Sequence, residues 1–265
     1  MSRIQDCCFK TYDPCYYAAS NGHLQCLRYA HEHGCHWDRS TCRVAVKNGH
    51  LECLQYAHEN GCPWDEWTFY YAASNGDLQC LRYAHENGCP WDEGTCRAAA
   101  KNGNLECLRY AHENGCPWDR WTCYEAAKNG YIKCLRYAHE NGCPWDEWTC
   151  SAAAENGQLE CLRYAHENGC PVDENTFHEA VKNKRFECLK YLIAHEWKTW
   201  KQLNPQFAPR YGKSIQNINI LNNSWTVSNY VFLAGMIQSS SHIYKHFYNH
   251  SLFDLNLINE ILSLL

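Results

Sequence analysis

The stretch at residues 65–91 reads DEWTFYYAASNGDLQCLRYAHENGCPW and decides the fold, because it is one copy of a unit that recurs along most of the chain. An Asn-Gly dipeptide marks the register of the copies. It returns every 27 residues, at Asn21-Gly22, Asn48-Gly49, Asn75-Gly76, Asn102-Gly103, Asn129-Gly130 and Asn156-Gly157. A period in this range is typical of stacked supersecondary units, each of which buries its apolar faces only against its neighbours.

Each unit is predicted to fold into two short helices joined by tight turns. Asp65 is a good N-cap and Asn75-Gly76 provides a left-handed stop, so the first helix is expected at residues 66–74. The second helix is expected at residues 78–86, where Asn87-Gly88 ends it. No segment alternates with period 2 over the length of a strand, which indicates an all-α fold.

The first helix of the unit has two different faces on a helical wheel. One face holds positions that barely change from unit to unit, namely Thr68, Phe69, Ala72 and Ala73. The other face differs among units and contains Tyr, Trp and Arg, the residue types that dominate binding hot spots. The alternative is a solvated face with incidental aromatic residues. We predict that this variable face binds a partner through Tyr16, Arg43, Trp67, Tyr70, Tyr71, Arg97, Trp121, Tyr124 and Trp148.

The unit resembles an ankyrin repeat. Residues 95–105, TCRAAAKNGNL, followed by Cys107-Leu108 and Gly115-Cys116, are similar to the Thr-Pro-Leu-His-x-Ala-Ala-x-x-Gly-His of that family, its paired aliphatic residues and its closing Gly-Ala. Two departures are a first helix shorter by one residue and a β-hairpin finger reduced to Cys-Pro-Trp-Asp. In these departures the chain resembles the divergent ankyrin-like proteins of large DNA viruses of amoebae and of their protist hosts.

The resemblance covers residues 11–197 and implies a helical solenoid of seven helix-turn-helix units that acts as a scaffold for binding other proteins. Residues 1–10 are expected to form a partial capping repeat. Residues 198–265 lack cysteine and contain apolar helix-like runs, so a helical C-terminal cap is expected there. The alternative is a tail that docks a ubiquitin-ligase adaptor, because residues 257–265 loosely resemble the F-box-like element that ends many viral ankyrin proteins. The chain would then be the substrate-recognition subunit of a ubiquitin ligase.

Cysteine and histidine columns suggest a third possibility, a zinc-loaded structural module. The chain has 20 cysteines, nearly all in three columns of the repeat. Equivalent residues of neighbouring units should lie about 8–10 Å apart, beyond the ~7 Å limit for a disulfide. Cys80 and His85 are five residues apart, whereas two ligands on one helix need a spacing of three or four. We therefore predict no metal and no cofactor.

The histidine and tryptophan columns are predicted to have packing roles instead. His85 lies within the apolar arc of the second helix, so we expect a buried imidazole that is hydrogen-bonded to turn backbone and fixes one unit on the next. Trp91 and its equivalents are expected to form a hydrophobic plug beneath the turns.

Composition excludes several other classes of protein. A net charge of -5 gives no basic footprint for a nucleic-acid partner. No apolar stretch reaches membrane-spanning length, and residues 1–10 lack the apolar region of a signal peptide. We therefore expect a monomeric intracellular, cytoplasmic protein, located in the host cell if it is viral. No enzymatic activity is predicted, because the sequence has no Gly-rich phosphate loop, nucleophile elbow or unique carboxylate pair.

Overall fold

The computed structural model describes residues 13–192 and residue 195, and this part of the chain is a stack of helices with no strand. The helices are α1 (Pro14–Ser20), α2 (Leu24–Glu32), α3 (Arg39–Lys47), α4 (Leu51–Glu59), α5 (Glu66–Asn75), α6 (Leu78–Glu86), α7 (Glu93–Asn102), α8 (Leu105–Glu113), α9 (Arg120–Lys128), α10 (Ile132–Glu140), α11 (Glu147–Asn156), α12 (Leu159–Glu167) and α13 (Glu174–Lys182). Residues 186–192 are also helical.

Consecutive helices pair into the repeated units. Unit 1 consists of α1 and α2, unit 2 of α3 and α4, and so on to unit 7, which α13 begins. We call the odd-numbered helices the first helices and the even-numbered ones the second helices. The predicted all-α solenoid of helix-turn-helix units is confirmed.

The helix ends lie close to the predicted positions, although Asp65 makes no side-chain cap hydrogen bond to α5. Helix α6 has the expected bounds, and α5 runs one residue further than expected, to Asn75. Gly76 ends α5 with a left-handed φ of 75°, while the N–H of Asp77 donates to the carbonyl of Ala72 at 2.9 Å. This arrangement satisfies carbonyls that the end of a helix would otherwise leave open.

Small residues and leucine form the core of the stack. A leucine of every second helix is fully buried, as Leu81 shows in unit 3, and the alanine pair Ala72 and Ala73 of the first helix has no exposed surface. The first helices contact their successors much more extensively than the second helices do. Alanine permits this close approach, so the first helices present a continuous surface on the side that faces away from the core.

Three predicted regions lie outside the described residues: the partial capping repeat at 1–10, the C-terminal cap at 198–265, and the adaptor-docking tail that was its alternative. The contacts divide the chain after Leu189, and the site described below belongs entirely to the part before that boundary. Within the described residues, no helix combines the length and apolarity that crossing a membrane requires.

Candidate functional site

The candidate site is the exposed surface of the first helices, which we call the first-helix face. In α5 the positions that are constant among units are buried, and Phe69 has no exposed surface. The variable position two residues earlier holds Trp67, which is 45% exposed. The sequence comparison among units therefore separated packing positions from surface positions correctly in this helix.

Two groups of aromatic residues lie on this face. Cluster A consists of Trp67, Tyr70 and Tyr71 in α5. The Trp67 ring centroid is 5.4 Å from that of Tyr70 and 6.3 Å from that of Tyr71, and the two tyrosines meet edge-on at 5.7 Å. Cations from the preceding unit flank the cluster: the Arg43 guanidinium is 6.0 Å from the Trp67 ring centroid, and the Lys47 ammonium is 5.7 Å from that of Tyr71.

Cluster B consists of Trp121 and Tyr124 in α9, two units further along the stack. Trp121 is 39% exposed and meets Tyr124 edge-on at 5.1 Å between ring centroids. The Arg120 guanidinium lies 5.4 Å from the Trp121 ring centroid, and the Lys128 ammonium lies 5.6 Å from that of Tyr124. Both clusters thus combine rigid aromatic surface with adjacent positive charge, an arrangement that favours cation–π contacts.

The outer members of the predicted set are the most isolated. Trp148 in α11 is 51% exposed, and Tyr16 in α1 is 38% exposed and packs edge-on against Tyr17 at 6.3 Å. Tyr17 is more exposed than Tyr16, although the sequence analysis left it out. Tyr17 occupies the same column as Tyr71 of the predicted set, so the reasoning that selected Tyr71 would also have selected Tyr17.

The two arginines of the predicted set also tie neighbouring units together. The Nε of Arg43 donates to Asp65 Oδ1 at 2.9 Å, and its Nη2 makes a second bond to the same carboxylate. Arg97 pairs with Asp119 through a single bond, with 2.7 Å between Nη2 and Oδ2. Hydrogen bonding to Asp65 raises the pKa of Arg43, so this guanidinium stays charged. Arg43 bonds both carboxylate oxygens of Asp65, which makes no N-cap hydrogen bond to α5. Arg97 bonds only Oδ2 of Asp119, whose Oδ1 accepts from the N–H of Trp121 and caps α9.

The second helices and the turns that follow them carry a repeated ladder of rings. In unit 3 the His85 ring stacks on Trp91 at 4.3 Å between centroids, and its Nδ1 lies 2.9 Å from the hydroxyl of Tyr110 in unit 4. The Arg82 guanidinium covers the outer face of the same Tyr110 ring at 5.2 Å. The pattern recurs with His31, His58 and His139 as hydrogen-bonding histidines.

This geometry corrects the predicted role of the histidines. They do fix one unit on the next, but the partner is a tyrosine hydroxyl rather than turn backbone, and the imidazoles are half-buried rather than buried. The predicted tryptophan plug is also modified, since Trp91 is half-buried and stacks on the histidine of its own unit. Burial lowers the pKa of His58 and of His112, so both imidazoles favour the neutral form.

The cysteine columns bring thiols against backbone carbonyls. The Cys62 Sγ donates to the carbonyl of Asp38 at 3.1 Å, and the Cys42 Sγ lies 4.0 Å from the carbonyl of Cys62. Burial raises the pKa of Cys107 to about 11, which keeps that thiol protonated. Over the described residues no three His, Cys, Asp or Glu side chains come together in a way that could hold a metal ion.

One surface aromatic residue was missed altogether. Tyr131 opens the second helix of unit 5 and is 39% exposed. Its ring lies against the turn of the preceding unit, where a Cβ added to Gly103 would come 2.4 Å from Cδ1 of the ring. The equivalent His50 and Asn104 instead hydrogen-bond carbonyls of the preceding first helix, so this column connects units through side chains of varied chemistry.

Comparison with known proteins agrees with this architecture. The family model "Ankyrin repeats (many copies)" matches residues 42–85 and 96–139, and the model "Ankyrin repeats (3 copies)" matches residues 123–203. The curated proteins include no match. Among solved structures, the crystal structure of the human ASB11 ankyrin repeat domain matches with a TM-score of 0.53 and 19% identity, covering 61% of this chain and 86% of that one. At this identity the likeness concerns the fold alone.

Proposed function

The chain belongs to the ankyrin-repeat family, whose members are generally protein-interaction modules and typically not enzymes, and from this premise we propose that it binds a partner protein through the first-helix face. One observation carries the proposal: three exposed tryptophans lie at a position where the fold does not need them. The column that holds Trp67, Trp121 and Trp148 contains Ser40, Gly94 and Asn175 in other units. Since a small residue suffices for packing, the large ones need another explanation.

Energetics favour a bound partner as that explanation. Covering the exposed part of one such tryptophan removes on the order of 100 Å² of mainly apolar surface from water. At roughly 25 cal/mol per Å² this contributes about 2–3 kcal/mol, the range of a binding hot spot. Several exposed aromatics in a row are otherwise a liability, because large apolar patches on a soluble protein promote association.

The surroundings of the two clusters suggest the chemistry of the partner. Lys47 lies over Tyr71 and Lys128 over Tyr124, and neither lysine has a carboxylate partner within the described part of the chain. At about 8–10 Å per unit, clusters A and B are separated by roughly 16–20 Å. The surface fits a partner that presents two apolar anchors at that separation, each beside an acidic side chain.

The residues that other units have at the same position provide the substitutions for the test. The triple variant Trp67→Ser, Trp121→Gly, Trp148→Asn gives each tryptophan the residue that another unit has in the same column, so folding should be preserved. The control is Lys133→Glu on the second helix of unit 5, where other units carry glutamate, as at Glu106. Partners are identified by affinity purification and mass spectrometry from cells that express the protein.

We expect the control to retain the partners of the unmodified chain and the triple variant to lose the main one. With a purified partner, each single tryptophan change should weaken binding by about 10- to 100-fold. Retention of every partner by a folded triple variant would show that the first-helix face is not the binding surface.

A further inference from the structure

Five units hold two cysteines side by side, one in the first helix and one in the turn that closes the unit. The pairs are Cys15 with Cys35, Cys42 with Cys62, Cys96 with Cys116, Cys123 with Cys143, and Cys150 with Cys170. In four of the pairs the Sγ of the first-helix cysteine lies 3.9–4.0 Å from the carbonyl oxygen of the turn cysteine. The distance from the Cys15 Sγ to the Cys35 carbonyl oxygen is 3.9 Å. Cys15 and Cys35 belong to the same unit, so the distance of about 8–10 Å between equivalent residues of neighbouring units does not keep them apart.

We propose that these pairs are disulfide-forming dithiols, and that Cys15 and Cys35 in unit 1 are the site at which the folded protein is oxidised by small-molecule disulfides. Because the Cys15 Sγ lies 3.9 Å from the backbone carbonyl of Cys35, a local shift of the two side chains can bring their sulfurs to the about 2 Å of an S–S bond without refolding. The resulting bridge joins α1 to the turn that ends its own unit.

Access distinguishes unit 1 from the other units. The turn cysteines Cys62, Cys116 and Cys143 are each 3% exposed, whereas Cys35 is only half-buried. The Sγ of Cys62 donates to the carbonyl at the start of its unit at 3.1 Å. Both turn cysteines also contact the carbonyl of the next residue, Cys35 that of His36 at 3.6 Å and Cys62 that of Pro63 at 3.8 Å. Among the cysteines of the described residues, Cys35 is therefore the thiol that an oxidant in solution can reach without opening of the unit.

The reaction is a pair of thiol–disulfide exchanges. The thiolate of Cys35 attacks one sulfur of oxidised glutathione, and the first glutathione leaves and takes up the proton of Cys35. Cys15 then loses its proton and attacks the Cys35 sulfur of the mixed disulfide, and the second glutathione leaves as the thiol. Two protein thiols lose two hydrogens in all, and one oxidised glutathione becomes two reduced molecules. Burial and the hydrogen bond to Cys35 raise the pKa of Cys15, which suits it to the second step rather than the first.

The chain contains its own control for this chemistry. In unit 3 the first-helix position is Phe69, which is fully buried against Trp91 at 5.0 Å between ring centroids. Cys89 in the closing turn of that unit is buried like its equivalents but has no cysteine of the first helix beside it. Its burial matches that of the paired turn cysteines, and only the partner thiol differs.

The experiment follows oxidation of the full-length, fully reduced chain. The protein is incubated with oxidised glutathione, samples are quenched in acid at intervals, remaining thiols are alkylated under denaturing conditions, and disulfides are mapped by mass spectrometry of peptides. We expect the Cys15–Cys35 disulfide to form first, so that two cysteines no longer become alkylated. Cys89 should remain a free thiol, and so be found alkylated, after the other pairs have formed disulfides. Scrambled pairing, or Cys89 entering disulfides as fast as Cys35, overturns the proposal.

A variant provides a second readout. In Cys15→Ala the mixed disulfide on Cys35 cannot be resolved, so Cys35 should accumulate as its glutathione adduct, whereas in the parent protein this adduct is transient. Equal amounts of the adduct in the parent and the variant would exclude Cys15 as the resolving thiol. If the variant does not fold, the order of oxidation in the parent chain still decides the question, because it requires no substitution.

Discussion

Two glycines allow a direct test of how units are joined. Gly103 ends α7, and Gly115 lies in the turn after α8; both have left-handed φ values, of 76° and 84°. An added methyl group at Gly115 meets nothing within 4 Å, whereas at Gly103 it comes 2.4 Å from the ring of Tyr131 in the next unit. Alanine at the two positions therefore has the same backbone penalty but a different contact with the neighbouring unit.

The expected magnitudes follow from these distances. A left-handed alanine costs about 1–2 kcal/mol, so Gly115→Ala should lower the free energy of unfolding by that amount. Gly103→Ala should cost about 1–3 kcal/mol more, because the Tyr131 ring must move or the turn must shift. For a chain of this size, each kcal/mol corresponds to about 2–4 °C in Tm.

A second substitution isolates the contact. Tyr131→Asp installs the residue that unit 3 has at this position, where Asp77 lies an ordinary 3.8 Å from the site of a Cβ on Gly49. Asp77 also caps α6, so Tyr131→Asp alone can stabilise the chain, but that gain cancels in a double-mutant cycle. Urea unfolding of the four proteins, followed by circular dichroism, should give a favourable coupling energy of about 1–3 kcal/mol. Equal costs for both glycine variants, or a coupling energy near zero, would refute the inferred contact between units.

Three further changes test other parts of the structure. Ala99→Leu adds volume at a position with no exposed surface and should cost about 1–3 kcal/mol in urea unfolding; an unchanged midpoint would contradict the assignment of the buried face. Tyr110→Phe removes the hydroxyl 2.9 Å from His85 Nδ1 and should cost about 1 kcal/mol, a loss that should disappear when His85 is already alanine. Because burial lowers the pKa of His58 and His112, their contribution to stability is complete above the unfolded value of 6.5 and is lost as pH falls through the folded values. Thermal melts between about pH 8 and pH 5 should therefore show a falling Tm, and replacing both histidines by phenylalanine should reduce that fall.

The fold was predictable because every local signal in the unit agrees and is repeated. Asn75-Gly76 predicts the end of α5 to within one residue, since this stop depends on local backbone chemistry, and α5 begins directly after Asp65 as predicted although the Asp65 carboxylate bonds Arg43. The resemblance to ankyrin repeats is confirmed by both the family models and the solved structure. The residues that share a face of α5 were also predicted, because a helical wheel requires only the helix period.

Contacts between units were much harder to predict. A wheel places His85 in an apolar arc, but it does not reveal that Tyr110, 25 residues later, brings a hydroxyl to its Nδ1. The same holds for Arg43, which looked like a free surface cation and instead bonds Asp65 of the next unit. Both cases depend on the offset between stacked units, which is a tertiary quantity that the sequence period does not contain.

These contacts explain why the residues of the ring ladder hardly vary among units while the Trp67 column does. In each complete ring ladder a histidine and a tryptophan come from one unit and a tyrosine from the next, so a change in His85 also affects Tyr110. The column of Trp67 takes no part in this ladder and can change one unit at a time. Binding preferences can therefore change at the Trp67 column without weakening the ring ladder that joins the units, whereas a change at Arg43 also removes its bonds to Asp65.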